Sequence, residues 1–400
     1  MFKQPAYWAA WTLTIACILI SPYVQPAWLL SIIVILFCAT LFLIPGTRYA
    51  SISFIVLATL YGLGWLPLFV FASTIAIIVN GEGAYRALKE TPYAYPAYVG
   101  AGYIGAVLVM IYFQHYVPLI ALLGVVVAAM LKSALSNQVD ILMIEGLGVA
   151  MTMYFFGELN FQVDLTIILV AAIIAFAFGF AAHQLRVMDL SGLFSAALIG
   201  IILIAFTRDI RWFFIMLTFF ILGSAATKYK YSYKAALGTA QGHGGLRGYY
   251  NVFANGLVAT AAAILFGITQ HPIFTAMFVG SVATAAADTV AGEIGMTRSN
   301  PYLITTGKRV PPGTNGGVSL LGEAAGILAA ITVLAVAFGL SVSTLSMAVI
   351  GVVAGFCGTN MDSLIGATLE NKGYLGNAGT NLLATLFGGL LAAILYWFVH

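Results

Sequence analysis

The chain has 400 residues, of which 62% are hydrophobic and only 7% charged, and its formal net charge is +3. A soluble domain carries roughly 25% charged residues, so this composition excludes a soluble domain with a single anchor and leaves a polytopic membrane protein. The small positive balance offers nucleic acid no footprint, and Cys17, Cys38 and Cys357, lying in or beside apolar runs without paired spacing, give neither a disulfide frame nor a metal site.

The first apolar run, in PAYWAAWTLTIACILI, lacks a small-residue cleavage site and is expected to be a retained helix. Further runs follow near 28–44, 52–79, 97–114, 116–131, 140–157 and 165–183. The remainder fall near 192–207, 211–226, 252–268, 273–290, 318–339, 343–358 and 382–399. Several are shorter than the ~20 residues of a straight span. The run at 52–79 contains GLGWLP and is either one kinked helix or two short ones. No sustained apolar/polar alternation marks a barrel strand. The expected fold is an all-α polytopic integral membrane protein of about 13 to 15 helices, several of them short or broken.

Short-loop Lys and Arg set orientation. Lys228, Lys230, Lys234 and Arg247 share a side with Arg298, Lys308, Arg309 and Lys372, whereas Arg208 and Arg211 fall opposite. The richer side is expected to be cytoplasmic, in a cell (plasma) membrane. Polar motifs concentrate in residues 165–400, which are expected to form the catalytic core. Residues 1–155 are expected to form a helical bundle around it with few clustered polar groups.

In GGLRGYYNVFANGL, Arg247, Asn251 and Asn255 recur every four residues, one polar stripe if the segment is helical. Such a stripe suits a phosphate; alternatively the two Asn cross-link neighbouring helices. Asp288 ends an apolar run, and a carboxylate at membrane depth costs roughly 2.5–3.5 kcal/mol at helix centre. If the helix loosens at Gly292, Asp288 and Glu293 converge on one Mg²⁺; the alternative is an ion pair with Lys308 or Arg309. The loop KRVPPGTNGGVS sets Asn315, Gly316, Gly317 and Ser319 just ahead of a helix, a geometry that favours anions, although Pro-Pro-Gly and Asn-Gly also mark ordinary turns. Glu323, about one turn further on, is a metal ligand or a partner for Arg247. Asp362 is a third acid on this side, either a ligand or a helix cap onto the N–H of Leu364 or Ile365. Asn377 and Asn381 are four apart before the last span.

The ordered set of Arg247, Asn251 and Asn255, Asp288 and Glu293, PGTNGG, Asp362, then Asn377 and Asn381 resembles the domain-of-unknown-function-92 membrane family over residues 165–400. Its characterised branch is the phytyl-phosphate kinases, and it is distantly similar to CTP-using lipid kinases and CDP-diacylglycerol synthase. The resemblance implies transfer of a nucleotide γ-phosphate, often from CTP, to an isoprenyl monophosphate. It also implies Mg²⁺ (or Mn²⁺) at Asp288, Glu293 and Asp362. The phosphates would lie on Arg247, Asn251, Asn255, Lys308, Asn315, Gly316, Gly317, Ser319, Asn377 and Asn381. Expected partners are the bilayer, the isoprenyl phosphate and the nucleotide, with no nucleic acid; a homo-oligomer is compatible with the sequence. A CDP-lipid-forming cytidylyltransferase and an isoprenoid alcohol kinase share the same requirements. A transporter is the further alternative, for which Glu145 within ILMIEGLGV is the strongest pointer.

Overall fold

The computed structural model describes residues 5–43, 48–135, 140–159, 161–239, 243–297 and 301–400; Arg298 lies outside them. The chain is an all-α polytopic membrane protein. Among the described residues, 11 helices are long and apolar enough to span a bilayer, joined by shorter apolar ones. Contacts divide the chain into two compact units, Met1–Ile168 and Leu169–His400.

The first unit holds α1 (Pro5–Ile20), α2 (Ala27–Phe42), α3 (Arg48–Gly62), α4 (Leu68–Ala87), α5 (Ala94–Tyr112), α6 (Pro118–Ala134) and α7 (Ile141–Glu158). The 52–79 run is thus two helices. Gly64 turns the chain at φ +76°, and Pro67, which has no N–H to give a preceding turn, sits at the N-cap of α4. The interior of this unit is more polar than the sequence suggests. Glu145 of α7 is fully buried and accepts from the Tyr98 hydroxyl of α5. Lys132 of α6 pairs with Glu82 of α4, which also meets Arg86 at 2.5 Å. Widely spaced polar residues are brought together only by the packing of four helices.

The second unit begins within α8 (Leu165–Gln184) and continues through α9 (Leu190–Thr207), α10 (Ile210–Lys228), the short α11 (Tyr231–Ala236), α12 (Tyr249–Thr269) and α13 (Pro272–Gly295). A two-stranded hairpin, β1 (Tyr302–Leu303) against β2 (Gly317–Val318), precedes α14 (Leu320–Gly339), α15 (Leu345–Ile365) and α16 (Asn377–Val399). Helix α13 is the hub, packed against α10, α12, α14, α15 and α16. Its sequence explains why. Ala283, Ala285, Ala286 and Ala287 are buried, and small side chains let helix backbones approach closely in lipid. A Cβ on Gly355 of α15 would stand 3.3 Å from Ala283. Trp212 of α10 fills the remaining space, with ring centroids 4.5 Å from Phe278 and 4.8 Å from Phe266.

The alternation of these helices gathers four connections at one end. Lys228 Nζ donates to Leu185 O at 3.1 Å, and the Arg247 N–H to Val187 O at 3.0 Å. Opposite, Arg211 pairs with Asp209 at 2.7 Å and caps α14 by donating to Leu340 O at 2.9 Å.

Candidate functional site

At the end shared by those four connections, α13 carries its two acids on different sides. The helix is continuous through Gly292, and five residues at 100° each set Asp288 and Glu293 roughly 140° apart. The expected convergence of these two on one metal is therefore corrected. Nothing loosens the helix at Gly292, and each acid meets different partners.

Glu293, 3% exposed, pairs with Lys234 of α11 at 2.5 Å. Lys234 is itself fully buried and donates to Ala226 O at 3.0 Å and Thr227 O at 2.8 Å. It thereby satisfies carbonyls in the last turn of α10, where a cation also suits the helix dipole. Lys234, in the sequence merely one of several loop cations, is structurally the partner of Glu293.

Asp288 faces the other way, toward α15, where its carboxyl and that of Asp362 lie within hydrogen-bonding reach. Glu370 and Glu323 are close enough to act on Asp288 through space. Asp362 is no N-terminal cap, since it sits one turn before the end of α15, and its Oδ1 is buried without a hydrogen-bond partner. Arg309 lies over the Tyr302 ring at 5.7 Å and Lys308 is exposed on the hairpin; neither forms an ion pair with Asp288. Glu323 accepts from Asn360 Nδ2 at 3.1 Å, not from Arg247. Glu370 closes a five-residue π turn after α15 and accepts from Thr380 Oγ1 at 3.4 Å. Both Glu370 and Asn360 escape a reading by motif. Their signals were faint: Asn360 stands two residues before Asp362, and Glu370 eight after it, about two helical turns.

The glycine loop docks onto this acidic group. Gly316 adopts φ +78°, and a Cβ there would collide with Ser363 O and Ala367 at the end of α15, so only glycine fits. Asn315 is carried beside Gly366 at the loop tip, exposed. Two expected phosphate ligands are already engaged: Gly317 N–H donates to Thr314 O at 2.9 Å, and Ser319 Oγ caps α14 by accepting from Gly322 N at 3.1 Å. Asn377 is exposed at the first residue of α16, while Asn381 is buried one turn on.

Arg247 departs from the expected stripe. It precedes α12, whose N-cap is Gly248, and pairs by backbone with residues 187–189; only Asn251 and Asn255 are helical. Its guanidinium turns inward, 5% exposed, over the rings of Phe219 and Phe220 at 5.6 and 5.9 Å. Gly223 of α10 makes room, since a Cβ there would stand 3.2 Å from Arg247 Cζ. Burial pushes its pKa down to about 10, against a smaller opposing pull from Glu293. Asn255 Nδ2 donates to Asn251 O at 2.9 Å, leaving its Oδ1 buried and unpartnered, as is Glu293 Oε1.

Two groups thus flank the same end of α13, one acidic and one built on Arg247, Lys234 and two Asn. Among the described residues no three His, Cys, Asp or Glu side chains converge as a metal-binding group. The facing Asp288 and Asp362 nevertheless fit Mg²⁺, which is held by one or two carboxylates and completes its shell with water and phosphate oxygens.

Residues 173–389, all in the second unit, match the family model described as integral membrane protein DUF92. The chain belongs to this family. Among DUF92 relatives, an uncharacterized membrane protein of Synechocystis is 36% identical over 187 residues, covering 46% of this chain and 72% of its own. An uncharacterized membrane protein of Methanocaldococcus jannaschii is 33% identical over 214 residues, covering 53% of this chain and 87% of that one. Chloroplastic protein VTE6 of Arabidopsis thaliana is 33% identical over 196 residues, 47% of this chain and 59% of that one. No solved structure matches the chain.

Proposed function

We propose that this protein is a membrane-embedded kinase that transfers the γ-phosphate of a nucleoside triphosphate, CTP in preference, to an isoprenyl monophosphate. The observation that carries the reading is the pair of facing carboxyls, Asp288 and Asp362. Like charges brought together beside apolar helices are costly, and a dication bridging phosphates relieves that cost. The 33% identity with VTE6, within a family whose motifs resemble phytyl-phosphate kinases, supports the same chemistry.

In this reading Asp288 and Asp362 would hold Mg²⁺, with Glu370 and Glu323 adding to the negative field around it. Bound there, the ion supplies charge neutralisation on the β- and γ-phosphate oxygens. An oxygen of the acceptor phosphate attacks the γ-phosphorus, the bond to the β–γ bridging oxygen breaks, and the nucleoside diphosphate leaves with that electron pair. A phosphomonoester is already ionised near neutral pH, its second pKa being about 6, so no general base is required. Arg247 holds the acceptor phosphate, and Asn251 contributes a neutral amide donor. Asn315 and Lys308, exposed on the hairpin loop, would meet the nucleotide arriving from water. The basic loops on this side favour a cytoplasmic face.

The test is incubation of the purified protein with labelled CTP, Mg²⁺ and a panel of prenyl monophosphates and prenols. The expected products are a prenyl diphosphate and CDP. A CDP-lipid with free pyrophosphate would establish the cytidylyltransferase instead. A prenyl monophosphate made from a prenol would establish the alcohol kinase, and no turnover with any acceptor would remove the enzyme reading.

A further inference from the structure

Below Arg247, helices α8, α9, α10 and α12 line a part-open groove with a cavity volume of about 80 Å³. Its walls are apolar except near one end, where Arg247 and Asn251 contribute, and among the described residues Arg247 is its single charged lining residue. A buried guanidinium with no carboxylate within salt-bridge distance, among the described residues, is a strong attractor of an anion. The groove below it suits hydrocarbon. Its deep end is formed by Phe213, ten residues along α10 from Gly223, against which the Arg247 guanidinium packs. At 1.5 Å per residue that leaves roughly 15 Å of groove for a tail, about half of a ~30 Å hydrocarbon layer. Gly200 packs closely against Phe213 and Ala175 at the deep end, and Phe178, 41% exposed on the groove wall, leaves the groove accessible from the lipid side.

We propose that this groove holds the hydrocarbon chain of the isoprenyl monophosphate, head against Arg247 and Asn251, and that its depth to Phe213 selects chain length. The inference rests on the kinase reading for the identity of its ligand, but its test needs no turnover. The substrate enters sideways from the bilayer, and its phosphate stops at the membrane edge because the only cation of the groove is there. The tail lies on one side of α13, and the nucleotide site on the other.

The experiment uses the full-length protein in lipid nanodiscs without nucleotide. It is photolabelled with a diazirine-bearing geranylgeranyl monophosphate, in competition with geranyl, farnesyl and geranylgeranyl monophosphates and with geranylgeraniol. Label is expected on α8, α9, α10 or α12 at groove residues. Ala175→Phe, at the deep end beside Gly200 and Phe213, is expected to weaken geranylgeranyl monophosphate competition by about tenfold or more while sparing geranyl monophosphate, since each methylene in an apolar pocket is worth roughly tenfold or more. Leu217→Trp, a second groove position, repeats the test should the first variant fail to purify. Arg247→Gln is expected to weaken every monophosphate and leave geranylgeraniol unchanged. Label outside the groove, or equal effects of both narrowing variants on all chain lengths, would overturn the proposal. The two readings separate cleanly. A chain-length pattern in binding with no phosphorylation of any acceptor retains the groove and removes the kinase. Phosphorylation with label elsewhere does the reverse.

Discussion

Asp288 and Asp362 show why single residues in this chain are informative. With 13 acids in 400 residues, two carboxyls that face one another across α13 and α15 are a cost to the fold unless something cationic joins them. Neutralising one should therefore separate stability from activity. Asp362→Asn is expected to leave the apparent melting temperature in detergent unchanged or raised, and to lower kcat by at least about a hundredfold. A variant that loses stability and activity together would mark Asp362 as structural. The acids themselves were legible in the sequence as charges spent at a membrane edge. Their pairing was not, because Asp288 sits nearer in sequence to Glu293, and only helix rotation decides which acid it meets.

Among elements, the short α11 is held to α13 by one buried pair, Lys234 with Glu293. Removing one partner of such a pair strands the other charge, at a cost of roughly 3–5 kcal/mol. Glu293→Leu alone is thus expected to lower the melting temperature markedly, whereas Lys234→Met combined with Glu293→Leu recovers most of the loss. A double variant no more stable than the single would refute the pairing. Because Glu293 is paired with Lys234, the recovered double variant is expected to keep substantial turnover. A dead but well-folded double variant would instead return Glu293 to the catalytic group. The glycine loop belongs to the same scale: its glycines were legible as a turn, but Gly316 is needed because the loop must press against Ser363 and Ala367.

For the whole molecule, the family match at residues 173–389 lies inside the second unit, and so does every residue assigned a role here. The segment 165–400, produced by itself, is expected to fold in detergent and to phosphorylate prenyl monophosphates within about tenfold of the full chain's kcat/KM. A soluble-aggregate or fully inactive product would show that the first unit is required. That first unit has its own buried polar interior around Glu82, Lys132, Tyr98 and Glu145, which the spread of those residues along the sequence concealed.

Composition and apolar run length alone determined that the chain is helical and membrane-spanning, because lipid tolerates no unsatisfied backbone and so narrows the choice of fold to one visible in residue statistics. The ordered polar motifs likewise determined the family. Which polar groups meet was decided by tertiary structure: Asp288 with Asp362, Glu293 with Lys234, and Arg247 turned beneath the loop into an apolar groove. Each of those pairings depends on how far one helix is rotated and buried against the next, and contacts between distant segments leave no periodic trace in a single strand of sequence.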